Sequence, residues 1–138
     1  MPLAESLGEF TLKATSVKPI DLGGGQTRIE ITFAGEVSGQ LPGQHFGTLT
    51  VTAGTDASRP NPWTYLGATL TTSGSILRIS GQGLGIRTGE GHKVRYRGTN
   101  CSTTDDPKLA NFNNVIAAIE AELDPATQTL KGAACVWK

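Results

Sequence analysis

Residues 105–138 read "DDPKLANFNNVIAAIEAELDPATQTLKGAACVWK", and the reading of this stretch decides the fold. Leu109, Phe112, Val115, Ile116, Ile119 and Leu123 recur at helical spacing. Asp106 before Pro107 has the makings of an N-cap and a first-turn proline. Periodicity alone therefore favours a helix. Alternation fits as well: Val115, Ala117, Ile119, Ala121 and Leu123 share one face, with Glu120 and Glu122 on the other. As a strand, the segment meets a hairpin turn at "DPATQT" and pairs with 129–137.

Upstream, the chain has a strand period throughout. Residues 9–17 alternate Phe10, Leu12 and Ala14 against Thr11, Lys13 and Thr15. Three consecutive glycines in "PIDLGGGQT" make a turn. Residues 28–38 place Ile29, Ile31, Phe33 and Val37 opposite Arg28, Glu30, Thr32 and Glu36. Strands follow at 45–53, 63–72, 75–82 and 92–101, with "SG" offering a two-residue turn between the fourth and fifth. Six strands at a nearly regular repeat predict an antiparallel sandwich or barrel. A closing hairpin makes eight strands, enough for a barrel that fills with side chains or holds one small ligand.

The composition agrees. Eighteen glycines and seven prolines in 138 residues suit short strands and tight turns. That length is one domain with a core of its own. Twelve basic residues balance twelve acidic ones. No basic stripe is available for phosphates, so nucleic acid is not an expected partner. The lack of net charge permits a homo-oligomer. "MPLAESLGEF" has neither the charged nor the apolar region of a signal peptide, and no apolar run is long enough for a membrane helix. The expected location is cytoplasmic. Cys101 and Cys135 have no CxxC and no histidine cluster, so buried free thiols are expected, and neither zinc nor any other metal.

"YRGTN" and the stretch from Pro107 resemble the C-terminal half of small uncharacterised barrel proteins related in fold to allene oxide cyclase. Arg97, Gly98 and Thr99, residues 107–110, Asn113, Asn114, Glu120, Asp124 and Trp137 stand at the matching positions. "FAGEVSG" and "GQGLGIR" fit more loosely. The likeness spans roughly residues 28–138. It implies a strand after one helical turn at 107–112, and an eight-stranded antiparallel barrel of allene-oxide-cyclase or lipocalin-like kind. It also implies cyclisation or isomerisation without a cofactor. Ala118 and Ala121 are smaller than the pattern expects, which implies a wider lumen if they line it.

The candidate residues follow from strand faces. Glu120 and Glu30 are the acid/base candidates if their faces turn inward, where burial would raise a carboxyl pKa. If the apolar face Ile29–Ile31–Phe33 turns inward instead, Glu30 lies on the surface. If it turns outward, that stripe is a contact surface for another subunit. Tyr65 and Arg97 are candidates for polarising an oxygen. Trp63 and Tyr65 share a face with Gly67, leaving space above the glycine for a ring; a packed core pair is the plainer alternative. Trp63, Tyr96, Trp137, His45 and Asn100 complete the expected substrate-binding set. His45 and His92 both begin strands beside glycine-bearing turns, where a histidine is ordinarily solvated. Arg78, Arg95 and Arg97 fit either a carboxylate clamp or an outer charged face. Gly81, Gly83 and Gly85 open no helix, so they carry no dinucleotide motif. The expected partner is a small, largely apolar metabolite. The expected activity is that of a cofactor-independent cyclase or isomerase, and the alternatives are a non-catalytic carrier and a structural barrel with a filled core.

Overall fold

Alternation runs along most strands of the computed structural model, which describes residues 5–89, 91–113 and 115–136. The strands are β1 (Glu5–Gly23), β2 (Gln26–Val37), β3 (Gly43–Ala53), β4 (Asn61–Thr71), β5 (Ile76–Arg87), β6 (Val94–Thr103), β7 (Ile116–Asp124) and β8 (Thr129–Val136). Each pairs antiparallel with the next, and β8 returns to β1, so the sheet is a closed eight-stranded barrel. Closure removes the free edges that would template aggregation. No helix among the described residues is long and apolar enough to cross a membrane.

The ambiguous segment divides in two. Pro107–Phe112 forms a 3-10 helix, capped by Asp106, whose Oδ1 accepts from the Lys108 amide at 2.9 Å. The strand begins at Ile116 and bonds to β6 on one side and β8 on the other. A helix here would leave both neighbours with unpaired edges. Size matching supports the strand: Ala121 stands opposite Tyr96, and Ala117 opposite Asn100, so small inward residues sit beside large ones. The start of the turn is tied to the barrel end, where Ser75 Oγ donates to Asp106 Oδ2. Its far end is tied too: Ser102 Oγ donates to the Phe112 carbonyl at 2.7 Å, and the Thr104 amide to Asn113 Oδ1 at 2.7 Å.

The apolar faces turn inward. Leu12, Ile31, Phe33, Leu49, Val51, Trp63, Tyr96, Ala121 and Leu130 form the core. They fill the half of the barrel nearer the β1–β2 and β3–β4 turns. The stripe Ile29–Ile31–Phe33 is therefore interior and unavailable as a subunit contact. Phe46, Leu66, Leu70 and Ile76 are instead exposed on the outer wall of β3–β5. The expectation of buried thiols is corrected: Cys101 is exposed and Cys135 only partly covered, with no disulfide between them. Inward-pointing Asn100 flanks Cys101, and strand parity turns the thiol outward.

Candidate functional site

Glycines decide where the large lumen side chains lie. A Cβ on Gly67 would come within 2.9 Å of Tyr65 Cε2, and one on Gly47 within 2.6 Å of Tyr65 Cζ. The ring of Tyr65 therefore lies flat over Gly67 and Gly47, crossing from β4 to β3. The space expected above Gly67 is occupied by this ring. Trp63 reaches the other way, with Cζ2 where a Gly98 side chain would be. Its indole meets Tyr96 edge to face, centroids 6.3 Å apart at 89°. Asn100 lies across Gly81, whose Cβ would overlap Asn100 Oδ1.

Laid over β3, Tyr65 reaches His45. The hydroxyl stands 2.6 Å from His45 Nε2, and His45 Nδ1 stands 2.8 Å from Thr69 Oγ1. The two rings stack, 5.7 Å apart at 15°. His45 and Thr69 are almost wholly enclosed. The neutral imidazole has one donor and one acceptor nitrogen, so the chain has two proton arrangements. In one, Tyr65 donates to Nε2, and Nδ1–H donates to Thr69. In the other, Thr69 donates to Nδ1, Nε2–H donates to Tyr65, and the phenol O–H is free to point into the lumen. Burial lowers the His45 pKa to about 4 and raises that of Tyr65 well above the usual phenol range. Both are uncharged at neutral pH. Tyr96 is likewise pushed up to about 12 by burial.

This trio stands in the wall of a cavity of about 150 Å³ at the end of the barrel crossed by the 3-10 helix. Leu12, Leu49, Trp63 and Tyr96 form its floor, Leu77, Ile79, Ala117 and Ile119 its sides, and Leu7, Leu41, Phe112 and Val115 its rim. No Asp, Glu, Lys or Arg is among the lining residues. A void of this size in an apolar interior takes one benzene-sized ring. A broader cleft of about 430 Å³ at the opposite end lies among loop residues 24–26 and 54–62. It has no buried titratable group.

Of the expected site residues, Trp63, Tyr65, Tyr96, His45 and Asn100 come together at this cavity. Glu120, Arg97 and Glu30 do not. Arg97 follows inward Tyr96, and Glu120 follows inward Ile119, so strand parity sends both outside. There they form an ion pair with each other at 3.4 Å, each side chain more than 60% exposed. Glu30 likewise alternates with interior Ile29 and Ile31 and faces Lys18 in register. Arg78 and Arg95 are also exposed on the outer wall, and so is His92 in its turn. Trp137 and Asn114 lie outside the described residues. Thr69 escaped the sequence reading, although it shares the inward parity of Trp63, Tyr65 and Gly67.

Two predictions arise here. Exposed ion pairs contribute about 0–1 kcal/mol. Glu120→Gln is therefore expected to leave unfolding free energy within about 0.5 kcal/mol of wild type, checked by urea denaturation. His45 should impose a larger pH dependence. Its pKa falls from 6.5 in the unfolded chain to about 4 in the barrel. Between those values the unfolded chain binds the proton and the folded one does not. The stability is thus complete above pH 6.5 and is lost as pH falls to about 4. The loss amounts to roughly 3 kcal/mol. Subtracting the stability–pH curve of His45→Gln from that of wild type isolates it from the carboxylates.

No protein-family model matches the chain, and no curated protein matches it. Solved structures do. A conserved protein of unknown function from Rhodopseudomonas palustris superposes with a TM-score of 0.79 at 16% identity, covering 96% of this chain and 95% of its own. A protein of unknown function from Clostridium acetobutylicum gives a TM-score of 0.78 at 17% identity, covering 96% and 95%. An enzyme from Penicillium herquei gives 0.65 at 16% identity, covering 95% and 92%. At these identities the likeness is one of fold.

Proposed function

We propose that this barrel is a cofactor-independent isomerase or cyclase, related to the allene oxide cyclase barrels. It acts in the cytoplasm on a small, largely apolar metabolite held in the lumen. One observation carries the reading: a hydroxyl–imidazole–hydroxyl chain is buried in the wall of an otherwise apolar cavity. Such a chain costs desolvation that an apolar wall would avoid.

The chain supplies a way to move one proton. With Nδ1–H donating to Thr69, Nε2 accepts the Tyr65 proton as the phenol oxygen takes one from the substrate. The proton then rests on His45 as imidazolium, opposite a substrate anion. Burial makes that imidazolium acidic, so it returns the proton through Tyr65 to a second substrate atom. Nothing is oxidised or reduced, and the net change is a shift of hydrogen or a ring closure. The apolar walls fold the substrate and exclude water.

A carrier is the second reading, favoured by the absence of any charged group among the lining residues. Self-association, in either case, has Phe46, Leu66, Leu70 and Ile76 as its available contact. The deciding experiment incubates the protein with a metabolite extract of its source and follows every mass by chromatography. A compound consumed in many-fold excess over protein, with a product of equal mass, supports the isomerase. A compound that vanishes one-for-one and returns on denaturation supports the carrier. No change at all would overturn both.

A further inference from the structure

β3 and β4 contain no Asp, Glu, Lys or Arg, whereas every other strand carries at least one. Their outward side chains form a continuous uncharged surface. Ala68 stands opposite Phe46, and Leu66 and Leu70 follow it on either side along β4. Ile76 of β5 stands opposite Leu70 and extends the apolar surface. Phe46, Leu66, Leu70 and Ile76 are each about half exposed or more. Ala34, on the β2 side of Phe46, and Ala68 are small, so the ring stands between two shallow positions. One charge of each sign borders the surface. Arg78 lies beside Ala68 on β5, is exposed, and makes no ion pair among the described residues. Glu36 lies beyond Gln44 on β2, and Gln44 Nε2 donates to its Oε1 at 3.3 Å. Apolar side chains gathered on one wall mark a contact surface.

We propose that the occupant of this wall is a second copy of the chain, docked about a two-fold axis that runs along the strands between β3 and β4. Such an axis lays β3 of one copy on β4 of the other at the same level. Each Phe46 then covers the partner's Ala68, each Leu66 meets the partner's Thr48, and each Leu70 the partner's Gln44. Every bulky apolar side chain meets a smaller or more pliable one. β5 comes over the partner's β2, and Arg78 reaches it at Ala34, one outward step along the strand from Glu36. Both side chains are long enough to bridge the gap where the barrel walls curve apart. The unpaired cation and the anion therefore meet twice, once on each side of the axis. A two-fold axis across the strands would instead set Phe46 on Phe46 and Arg78 on Arg78, bringing like charges together. A contact of four outward positions on four strands measures roughly 25 Å by 20 Å. Over both copies that is about 1,000 Å², the low end for a specific interface, so the dimer is weak, with a Kd in the micromolar range. The inference gives self-association a geometry and does not depend on turnover in the lumen.

The test is sedimentation equilibrium of the full chain over a wide concentration range. The wild type should fit a monomer–dimer equilibrium. Leu66→Lys, at a position that is solvated in the monomer, should raise Kd by about tenfold or more. Phe46→Ala gives a milder second check should the lysine variant fold poorly. Well below Kd that variant keeps the stability of the monomer, and its dimer is weaker by about tenfold. Charge exchange reads the orientation. Arg78→Glu and Glu36→Arg should each weaken the dimer about tenfold, and the double variant should return to within about threefold of wild type. A wild-type chain that stays monomeric at the highest concentration would overturn the proposal, as would a trimer, or a dimer untouched by both Leu66→Lys and Phe46→Ala. A double charge variant no tighter than either single one would overturn it too. None of these readings uses a substrate, so failure here leaves the lumen reading standing.

Discussion

Tyr65→Phe is expected to lower turnover of the converted metabolite by roughly 10²–10⁴-fold while leaving its binding within about tenfold. The substitution keeps the ring that lies over Gly47 and Gly67 and removes one oxygen. That oxygen is the only atom of Tyr65 bonded to His45. Without it, His45 Nε2 loses the hydroxyl that relays a proton between it and the substrate. His45→Gln should cause a loss of similar size, because either residue alone breaks the same chain and the two effects should not add. The pH profile supplies a further check. His45 stays neutral down to about pH 4, and burial lifts the Tyr65 hydroxyl above its usual range. Turnover should therefore be flat across neutral pH, without the break near 6.5 of an ordinary histidine. A break there in wild type, absent from His45→Gln, would show that the imidazole titrates as if solvated. Full turnover in Tyr65→Phe would remove the proton chain from the mechanism.

Phe33→Ala is expected to destabilise the barrel by about 3–5 kcal/mol, read as a shift in urea midpoint at unchanged slope. Phe33 is completely enclosed, and its neighbours in register are Ala14 on β1 and Gly47 on β3. Both are small, so neither can grow into the space left by the ring. Against a total of about 5–15 kcal/mol the loss is a large fraction. Phe46→Ala is the internal control. Phe46 is more than half exposed on the outer wall, so its truncation should cost under about 0.5 kcal/mol. Equal effects from the two would mean that inside and outside have been exchanged.

The fold was legible because period-two alternation persists from Phe10 to Leu123. The strand over 116–124 was the exception, since Ile116, Ile119 and Leu123 satisfy helical spacing as well. Partners on both sides decided it, and a single segment cannot display its partners. Strand parity also held the correct sidedness of the site. His45 alternates with Gly47, Leu49 and Val51, all enclosed. That parity argued for burial against its position at a strand start. Arg97 and Glu120 were drawn in by the resemblance to a family pattern, although their neighbours Tyr96 and Ile119 already claimed the inward face. Thr69 and the reach of Tyr65 were beyond sequence reading for another reason. Both depend on Gly47 and Gly67 standing opposite each other across β3 and β4, a register set by the closed sheet.

The most direct measurement is a crystal structure of the protein grown with the compound that the metabolite experiment identifies. A lumen site predicts that compound inside the barrel, above Leu49 and Trp63, with an oxygen within about 3.2 Å of the Tyr65 hydroxyl or the Asn100 amide. The compound bound on the outer wall beside Arg97 and Glu120, with the lumen closed by repacked side chains, would contradict it.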